Sequence, residues 1–363
     1  MTIPTEPIGS IPRPPELLSA IQDHARGRIS AETLEKSYDD AVRDTIERLE
    51  ATGSPVITDG EQRKSSFATY PLEGLKTLAG NGVVIPFKDG HTRQLPRLTA
   101  GPFHYGKYAG EYVRQAKPFA KRPLKQAVIS ASALSLLYPA QGIDGYAREQ
   151  FIEDLVNEAA LDIQSAFSAG AETVQIDFTE GRLSLKLDPS GGLLKSFVAL
   201  NNRVLDRFDA GARARIGVHV CPGGDHDSTH SADVDYAGLL PPLFEMKVGR
   251  FYLQLASEPD RPRVLEQVAE LLGSGRMIFV GVIDPISPRI ETAEEVRDRV
   301  LEASRFLPVD RMGTTDDCGF SPFADDDSTA RDLAFAKIQA RVEGTAMAAK
   351  ELGAREGIAS TLR

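Results

Sequence analysis

The sequence of 363 residues lacks the features of several large protein classes. It has no tryptophan and only two cysteines, which lie far apart; they indicate reduced thiols rather than a disulfide scaffold. The net charge is -10 without a basic cluster, which argues against nucleic-acid binding because phosphate contacts need concentrated Lys and Arg. No apolar run approaches a membrane span, and residues 1–6 show no charged-then-apolar leader. We therefore expect a cytoplasmic protein without a membrane partner.

An alternation of short apolar runs and helix-like segments organises the chain. Helical periodicity covers Phe151–Ala169, Glu291–Phe306 and Thr329–Leu352, the last preceded by the N-cap candidates Asp327 and Ser328. The strand-like runs are Pro55–Asp59, Gln126–Ser130, Thr173–Asp177, Arg215–His219, Phe251–Gln254, Met277–Gly281 and Leu307–Asp310. Repeated strand–helix units predict a parallel sheet, and their number fits a single α/β domain over residues 1–363, a (β/α)₈ TIM barrel. The sequence has no glycine-rich phosphate loop of the kind that would favour a doubly wound fold instead.

Both cysteines occur at predicted strand ends, beside other polar residues. His219 and Cys221 are two residues apart, so their side chains leave the same face of one strand. Cys318 follows another strand, and the three side chains together would provide one nitrogen and two sulfur ligands for Zn²⁺. Three protein ligands with an open position are typical of catalytic zinc. The alternative is that both cysteines are small buried hydrophobic residues.

The segment after Cys221 is long and polar, and it contains two of the six histidines, His226 and His230. Pro222 and the two glycines that follow it favour a loop over a helix. We predict a lid, or a general acid that His226 or His230 supplies beside the metal. The alternative is a surface turn that precedes a helix over Tyr236–Phe244.

Several segments together carry a family resemblance. They are Ile8–Pro14, Asp59–Glu61, Gln175–Asp177, His219–Cys221, Asp284–Arg289 and Asp317–Gly319. In this order they resemble the C-terminal catalytic barrel of cobalamin-independent methionine synthase. The resemblance includes related zinc alkyltransferases such as epoxyalkane:coenzyme M transferase. It implies a barrel of the methionine synthase/uroporphyrinogen decarboxylase-like type with bound Zn²⁺.

The resemblance also implies roles for individual residues. It makes His219, Cys221 and Cys318 zinc ligands, and it puts Gln254 where the family has a glutamate as fourth ligand. A neutral amide is a weaker ligand than a carboxylate, so Gln254 is either a ligand or an amide that supports the ligands without touching the metal. Two carboxylates that are displaced in sequence from position 254 are alternatives for the fourth ligand, namely Glu245 and Glu258.

A second set of matches concerns the acceptor substrate. Ser10, Glu61 and Asp177 correspond to positions that hold the amino acid part of homocysteine in the family. The carboxylates of Glu61 and Asp177 lie at predicted strand ends, where they suit an ammonium group. The alternative is that both hold loops together through capping and salt bridges.

Two departures concern the methyl donor. Val128–Leu134 occupies the place of the tryptophan on which the family stacks folate, and Ile286 stands where the family has a histidine thought to protonate the donor. A leaving amine on folate needs a proton, so both losses argue against methylfolate. They do not affect the part of the site that activates the thiol.

We therefore predict zinc-dependent alkyl (methyl) transfer to a small thiol, homocysteine methyltransferase-like, with a donor other than ordinary methylfolate. One alternative is epoxyalkane:coenzyme M transferase-type alkylation of another thiol. It would require a cation for the sulfonate, from Arg63, Lys64, Arg182 or Arg289. Another alternative is a zinc-binding barrel without catalysis, since a missing ligand and a missing acid are what the decay of an enzyme would look like. The sequence leaves a homo-oligomer open.

Overall fold

A central parallel sheet dominates the computed structural model, which describes residues 2–361, with side chains up to residue 354. Its strands are β1 (Lys125–Ile129), β2 (Thr173–Asp177), β3 (Ile216–Val220), β4 (Arg250–Leu253), β5 (Met277–Ile283) and β6 (Met312–Asp316). They pair side by side in chain order, all in parallel. Almost every strand residue is buried, as expected for a parallel sheet that is covered on both faces.

Two one-residue bridges extend this sheet toward closure. Ile57 pairs in parallel beside the start of β1, and Thr5 pairs in parallel beside β6. The segments that contain them meet, because the Ile11 amide donates to the Gly60 carbonyl at 3.0 Å. The chain therefore provides eight strand positions around a closed barrel, and the predicted TIM-barrel fold is confirmed.

Twelve helices and several short elements connect or flank the strands. The helices are α1 (Pro15–Ala25), α2 (Ala31–Ala51), α3 (Ala109–Ala116), α4 (Ala131–Ser135), α5 (Arg148–Ala169), α6 (Glu180–Leu187), α7 (Gly192–Leu205), α8 (Ala210–Ala214), α9 (Tyr236–Leu243), α10 (Arg261–Leu271), α11 (Ala293–Ala303) and α12 (Arg331–Thr361) within the described residues. Short antiparallel ribbons pair Leu78–Ala79 with Arg97–Leu98, Val84–Pro86 with Thr92–Gln94, and Gly224–Asp225 with Ser228–Thr229. Single 3₁₀ turns span Tyr70–Leu72 and Val309–Arg311.

Local sequence signals explain several helix boundaries. Thr292 and Glu295 form a reciprocal capping box at the start of α11. The Asp235 side chain accepts the Ala237 amide and caps α9. Gly170 ends α5 in the left-handed region, with φ of 103°, which glycine adopts without strain. These signals agree with the helices predicted from periodicity.

Three local predictions were wrong in detail. The strand predicted over Leu307–Asp310 is a turn, because Pro308 fixes the backbone before the 3₁₀ turn, and β6 follows with threonines rather than an apolar run. The N-caps predicted at Asp327 and Ser328 precede α12 by several residues. Ser328 instead closes a turn on Asp326, to which its amide and hydroxyl donate at 3.1 and 2.7 Å. The strand predicted over Pro55–Asp59 is reduced to the bridge at Ile57.

A buried ionic cluster fills the barrel at the amino ends of the strands. Lys125 Nζ donates to the Pro7 carbonyl at 2.7 Å and lies 3.6 Å from the centre of the Tyr252 ring. The Glu6 carboxylate accepts from Arg250 at 2.7 Å and from the Tyr252 hydroxyl at 2.6 Å. Burial lowers the pKa of Lys125 to about 7. This cluster lies away from the carboxyl ends, where a barrel holds its chemistry.

None of the helices in the described part of the chain is long and apolar enough to cross a bilayer.

Candidate active site

Three predicted ligands converge at the carboxyl ends of the strands. His219 lies in β3, Cys221 follows that strand, and Cys318 follows β6. Their donor atoms all lie within 4.8 Å of one another, and the two Sγ atoms are 3.3 Å apart. His219 is buried, yet among the described residues neither ring nitrogen has a hydrogen-bond partner. A buried imidazole without a partner beside two thiols fits a metal with nitrogen and sulfur preferences, such as zinc.

The loop that carries Cys318 is fixed by the residue before it. The Asp317 carboxylate accepts the backbone amides of Leu255, Ala256 and Ser257 at 2.8–2.9 Å. These bonds join the end of β4 to the end of β6. The neighbouring Cys221 sulfur and burial raise the pKa of the Cys318 thiol. The Cys318 thiol therefore holds its proton more firmly than an ordinary cysteine does.

Gln254 lies at the end of β4, and both ends of its amide have partners. Its Oε1 accepts from Arg182 Nη1 at 2.6 Å, and its Nε2 donates to Ser257 Oγ at 2.6 Å. Arg182 is fully buried and also donates to the Val234 carbonyl at 2.9 Å. The two alternative ligands lie elsewhere: Glu258 is 3.7 Å from Arg182, and the donor group around His219 includes neither it nor the exposed Glu245. The identity of a fourth ligand stays a prediction.

A cavity of about 520 Å³ opens beside the ligands. Ser10, Glu61, Asp177, His219 and Cys318 all line it, so the predicted acceptor residues and two of the predicted ligands share one space. These residues come from five separate parts of the chain. Their convergence is the main geometric result for this site.

Comparison with known proteins identifies the family. The family model described as the catalytic domain of cobalamin-independent synthase matches residues 3–340. The chain belongs to this family. Membership indicates a methyltransferase.

Curated relatives in the family cover nearly the whole chain. The methionine synthase of Saccharolobus solfataricus is 23% identical over 352 residues, which are 96% of each sequence. The methionine synthase of Sulfurisphaera tokodaii is 25% identical over 96% of this chain and 94% of its own.

Solved structures agree in fold. The B12-independent methionine synthase from Shewanella sp. W3-18-1, in complex with selenomethionine, has a TM-score of 0.76 at 21% identity. The match covers 98% of this chain and 100% of that chain. A protein from Listeria monocytogenes, described as a vitamin-B12-independent methionine synthase, has a TM-score of 0.72 at 21% identity, and the match covers 95% of this chain and 98% of that chain.

The three residues that the sequence predicts for the acceptor differ in their charge partners. Lys64 Nζ donates to Glu61 Oε1 at 2.8 Å, so Glu61 already has a buried counter-charge. Asp177 accepts from the Gln175 amide at 2.7 Å, and burial raises its pKa to about 6. The Ser10 hydroxyl accepts the Ser321 amide at 3.2 Å. Asp177 is therefore better placed than Glu61 to receive an ammonium group.

The two histidines of the loop after Cys221 have different surroundings. His230 lines the cavity, its Nδ1 lies 2.5 Å from Ser231 Oγ, and burial lowers its pKa to about 4. The ring is therefore neutral near pH 7. His226 is not among the lining residues; it occupies a tight turn with a φ of 45°, next to Asp227 with a φ of 57°. The predicted loop is present, but the acid role of either histidine stays a prediction.

Sequence reasoning missed Glu180, which lines the cavity at the start of α6. Its Oε1 accepts from the hydroxyls of Ser130, at 2.5 Å, and Ser132. Its Oε2 has no hydrogen-bond partner among the described residues. Burial raises the pKa of Glu180 to about 7. Its position three residues after the end of β2 was the available signal.

Arg93 was also missed. It lines the cavity and pairs with Asp225 through Nε at 2.5 Å and with Asp325 through Nη2 at 3.0 Å. Asp225, His226 and Asp326 form a second group of close donor atoms, but Arg93 already neutralises Asp225. The partners of Arg93 are more than 130 residues away in sequence, so no local pattern could indicate these contacts.

The four cations predicted for a sulfonate do not line the cavity. Arg63 binds Glu35 and Asp39, and Arg289 binds Glu295. Lys64 and Arg182 are buried in the contacts described above.

Proposed function

We propose that this protein is a zinc-dependent homocysteine methyltransferase that uses a donor other than ordinary methylfolate. The supporting observation is that Ser10, Glu61 and Asp177 line the same cavity as His219 and Cys318. In a barrel that had lost its activity, nothing would maintain acceptor and ligand side chains around one cavity. The methionine synthase relatives support homocysteine as the acceptor.

In this proposal His219, Cys221 and Cys318 hold the metal. Zinc bound there would lower the pKa of the acceptor thiol and so provide a thiolate near neutral pH. Gln254 serves as support for the site, because Arg182 and Ser257 already engage its amide. The protein thus leaves a coordination position for the substrate sulfur.

The remaining acceptor residues orient homocysteine. Asp177 receives the ammonium group, since its carboxylate is buried at the end of β2 beside His219 in β3. The Ser10 segment borders the same end of the cavity, against the loop that carries Cys318. Binding from both sides aligns the sulfur for in-line attack on the methyl carbon.

Coenzyme M is disfavoured as the acceptor by charge. Its sulfonate requires an unpaired cation. Among the described residues, Arg93 is the one lysine or arginine that lines the cavity. Arg93 is already paired with Asp225 and Asp325. A sulfonate would have to compete with both carboxylates for Arg93, and Asp225 is completely buried.

Zinc K-edge X-ray absorption with each thiol tests the proposal. We expect the two-sulfur shell to gain one sulfur with homocysteine and to stay unchanged with coenzyme M. Asp177→Asn should keep its zinc but bind homocysteine about 10- to 100-fold more weakly, through loss of a charge-assisted hydrogen bond. Asp144→Asn, at an exposed site, is the control. A shell that homocysteine does not change would contradict the proposed function.

A further inference from the structure

We propose that the donor part of the cavity binds a methylated onium cation, in which a positively charged sulfur or nitrogen carries the methyl group, and that Glu180 binds it. This inference rests on the proposed function, because it concerns the donor for the same acceptor. Three independent features of the cavity support it: an unpaired carboxylate oxygen, the balance of charges in its lining, and the absence of a cationic acid beside the metal ligands.

The unpaired oxygen belongs to Glu180. Two serine hydroxyls donate to Oε1 and stabilise the ionised form, but burial outweighs them and raises the pKa of this carboxyl to about 7. A cation bound beside Oε2 would shift the group to the carboxylate. Oε2 lies in the same buried side chain without a partner among the described residues. A buried carboxylate oxygen without a partner is costly, so it points to a ligand that supplies the missing contact. A cation supplies it through charge as well as through contact.

The charge balance of the lining favours the same ligand. The carboxylates that line the cavity are Glu61, Asp177, Glu180 and Asp325. Lys64 pairs with Glu61, and the single positive charge of Arg93 is shared between Asp325 and Asp225. If Asp177 receives the ammonium group of homocysteine, Glu180 is left as the acid without a counter-charge. An anionic donor, such as a folate with glutamate carboxylates, would meet repulsion here.

Apolar side chains in the cavity that Glu180 lines strengthen its attraction for a cation. They include Ile85, Leu95, Ile129, Leu136 and Leu183. Apolar walls exclude water and reduce dielectric screening, so the attraction between a carboxylate and a cation is larger than in water. The methyl groups of an onium compound suit such walls, because the charge of the cation lies beneath an apolar surface.

The chemistry of an onium donor also fits the residues beside the ligands. A Cβ added to Gly224 would lie 3.8 Å from Cys318 Sγ and 3.9 Å from Ile286 Cδ1, so both side chains approach Gly224. His230 is neutral near pH 7. The cavity therefore holds no cationic acid near the sulfur among the described residues that line it.

An onium donor needs no such acid. The acceptor thiolate sulfur forms a bond to the methyl carbon, and the bond from that carbon to the positively charged sulfur or nitrogen breaks. The electron pair of the broken bond stays on the leaving atom, which departs as a neutral thioether or tertiary amine. Neither the acceptor thiolate nor the leaving group requires a proton in this step.

The first test compares donors on the zinc-loaded protein with homocysteine. S-methylmethionine and glycine betaine are the onium donors, and 5-methyltetrahydrofolate is supplied as mono- and triglutamate; methionine formation is measured. We expect an onium donor to yield methionine at least 100-fold faster than either folate. Methionine from a folate but from neither onium compound would overturn the inference.

The second test measures binding without turnover. Calorimetry with trimethylsulfonium should show binding that Glu180→Gln weakens at least tenfold and Glu149→Gln, at an exposed site, leaves unchanged. The glutamine amide oxygen can still accept from Ser130 and Ser132, so the fold is kept. Equal affinity in Glu180→Gln would overturn the role of Glu180.

The two proposals fail in different ways. If homocysteine adds its sulfur to the zinc shell while trimethylsulfonium does not bind, the donor inference is overturned and the acceptor proposal stands. If homocysteine leaves the shell unchanged, the proposed function itself fails.

Discussion

Replacing Arg93 with methionine should loosen three segments around the cavity together. Arg93 lies in the ribbon strand Thr92–Gln94, and its guanidinium binds Asp225 in the loop after Cys221 and Asp325 in the loop after Cys318. It also lies 4.1 Å from the centre of the Phe323 ring. One side chain therefore ties the ribbon to both loops that follow the cysteines.

The size of the effect follows from burial. Asp225 is completely buried and Arg93 is 23% exposed, whereas Asp325 is largely exposed and contributes little. Removing one partner of a buried pair costs about 3–5 kcal/mol. The cost is reduced here because His91 still contacts Asp225 at 3.0 Å, and because methionine keeps the apolar stem. We expect about 2–3 kcal/mol of local stability to be lost, which corresponds to roughly 30- to 150-fold more frequent opening.

Hydrogen exchange read by mass spectrometry measures this opening. The amide of Lys88 donates to the Thr229 carbonyl at 3.0 Å, so exchange over residues 84–94 and 224–229 reports the contact directly. Arg97→Met is the matched control, because Arg97 lies in the same region and binds only the exposed Asn81 side chain among the contacts described for it. Exchange rates that are the same in Arg93→Met and Arg97→Met would refute the reasoning.

Three further changes test other parts of the molecule. Cys318→Ser should lose at least about 100-fold in zinc affinity while circular dichroism stays native, since packing holds the barrel. Gln254→Ala should keep its zinc; a tenfold fall in affinity would make Gln254 a ligand. Because burial lowers the pKa of Lys125 to about 7, the unfolded chain binds more protons above that pH. Native stability should therefore rise with pH relative to Lys125→Met, with a slope that approaches about 1.4 kcal/mol per pH unit between roughly pH 8 and 9, as urea midpoints would show.

Patterns within one strand could be predicted from the sequence. His219 and Cys221 alternate in a strand whose apolar residues identify it, and Cys318 follows the last strand of the same sheet, so their convergence followed from barrel geometry. The long helices were equally predictable from their periodicity. The strand β6 was misplaced because Thr314 and Thr315 are buried without being apolar. Its position depends on pairing with β5, which no local signal encodes.

Contacts between distant segments could not be predicted in this way. The link between Arg93 and Asp325 spans 232 residues, and it joins a short ribbon strand to a loop. Glu180 is similar, because only the three-dimensional structure shows that its two serine partners occupy one oxygen and leave the other unpaired. Sequence analysis therefore located the three residues that converge as candidate ligands, whereas the charges that surround them needed the structure.

Gln254 and Ile286 stand where the family has a glutamate and a histidine, and these two differences are linked through charge. A metal held by two thiolates and one imidazole would have no net charge, while a glutamate at 254 would make the site anionic. Here the amide is neutral and Arg182 lies 2.6 Å behind it, so the surroundings of the acceptor sulfur are more positive. Positive surroundings favour the thiolate over the thiol but make that thiolate less reactive. A weaker nucleophile without a neighbouring cationic acid is suited to a donor with a good leaving group, and an onium cation has one.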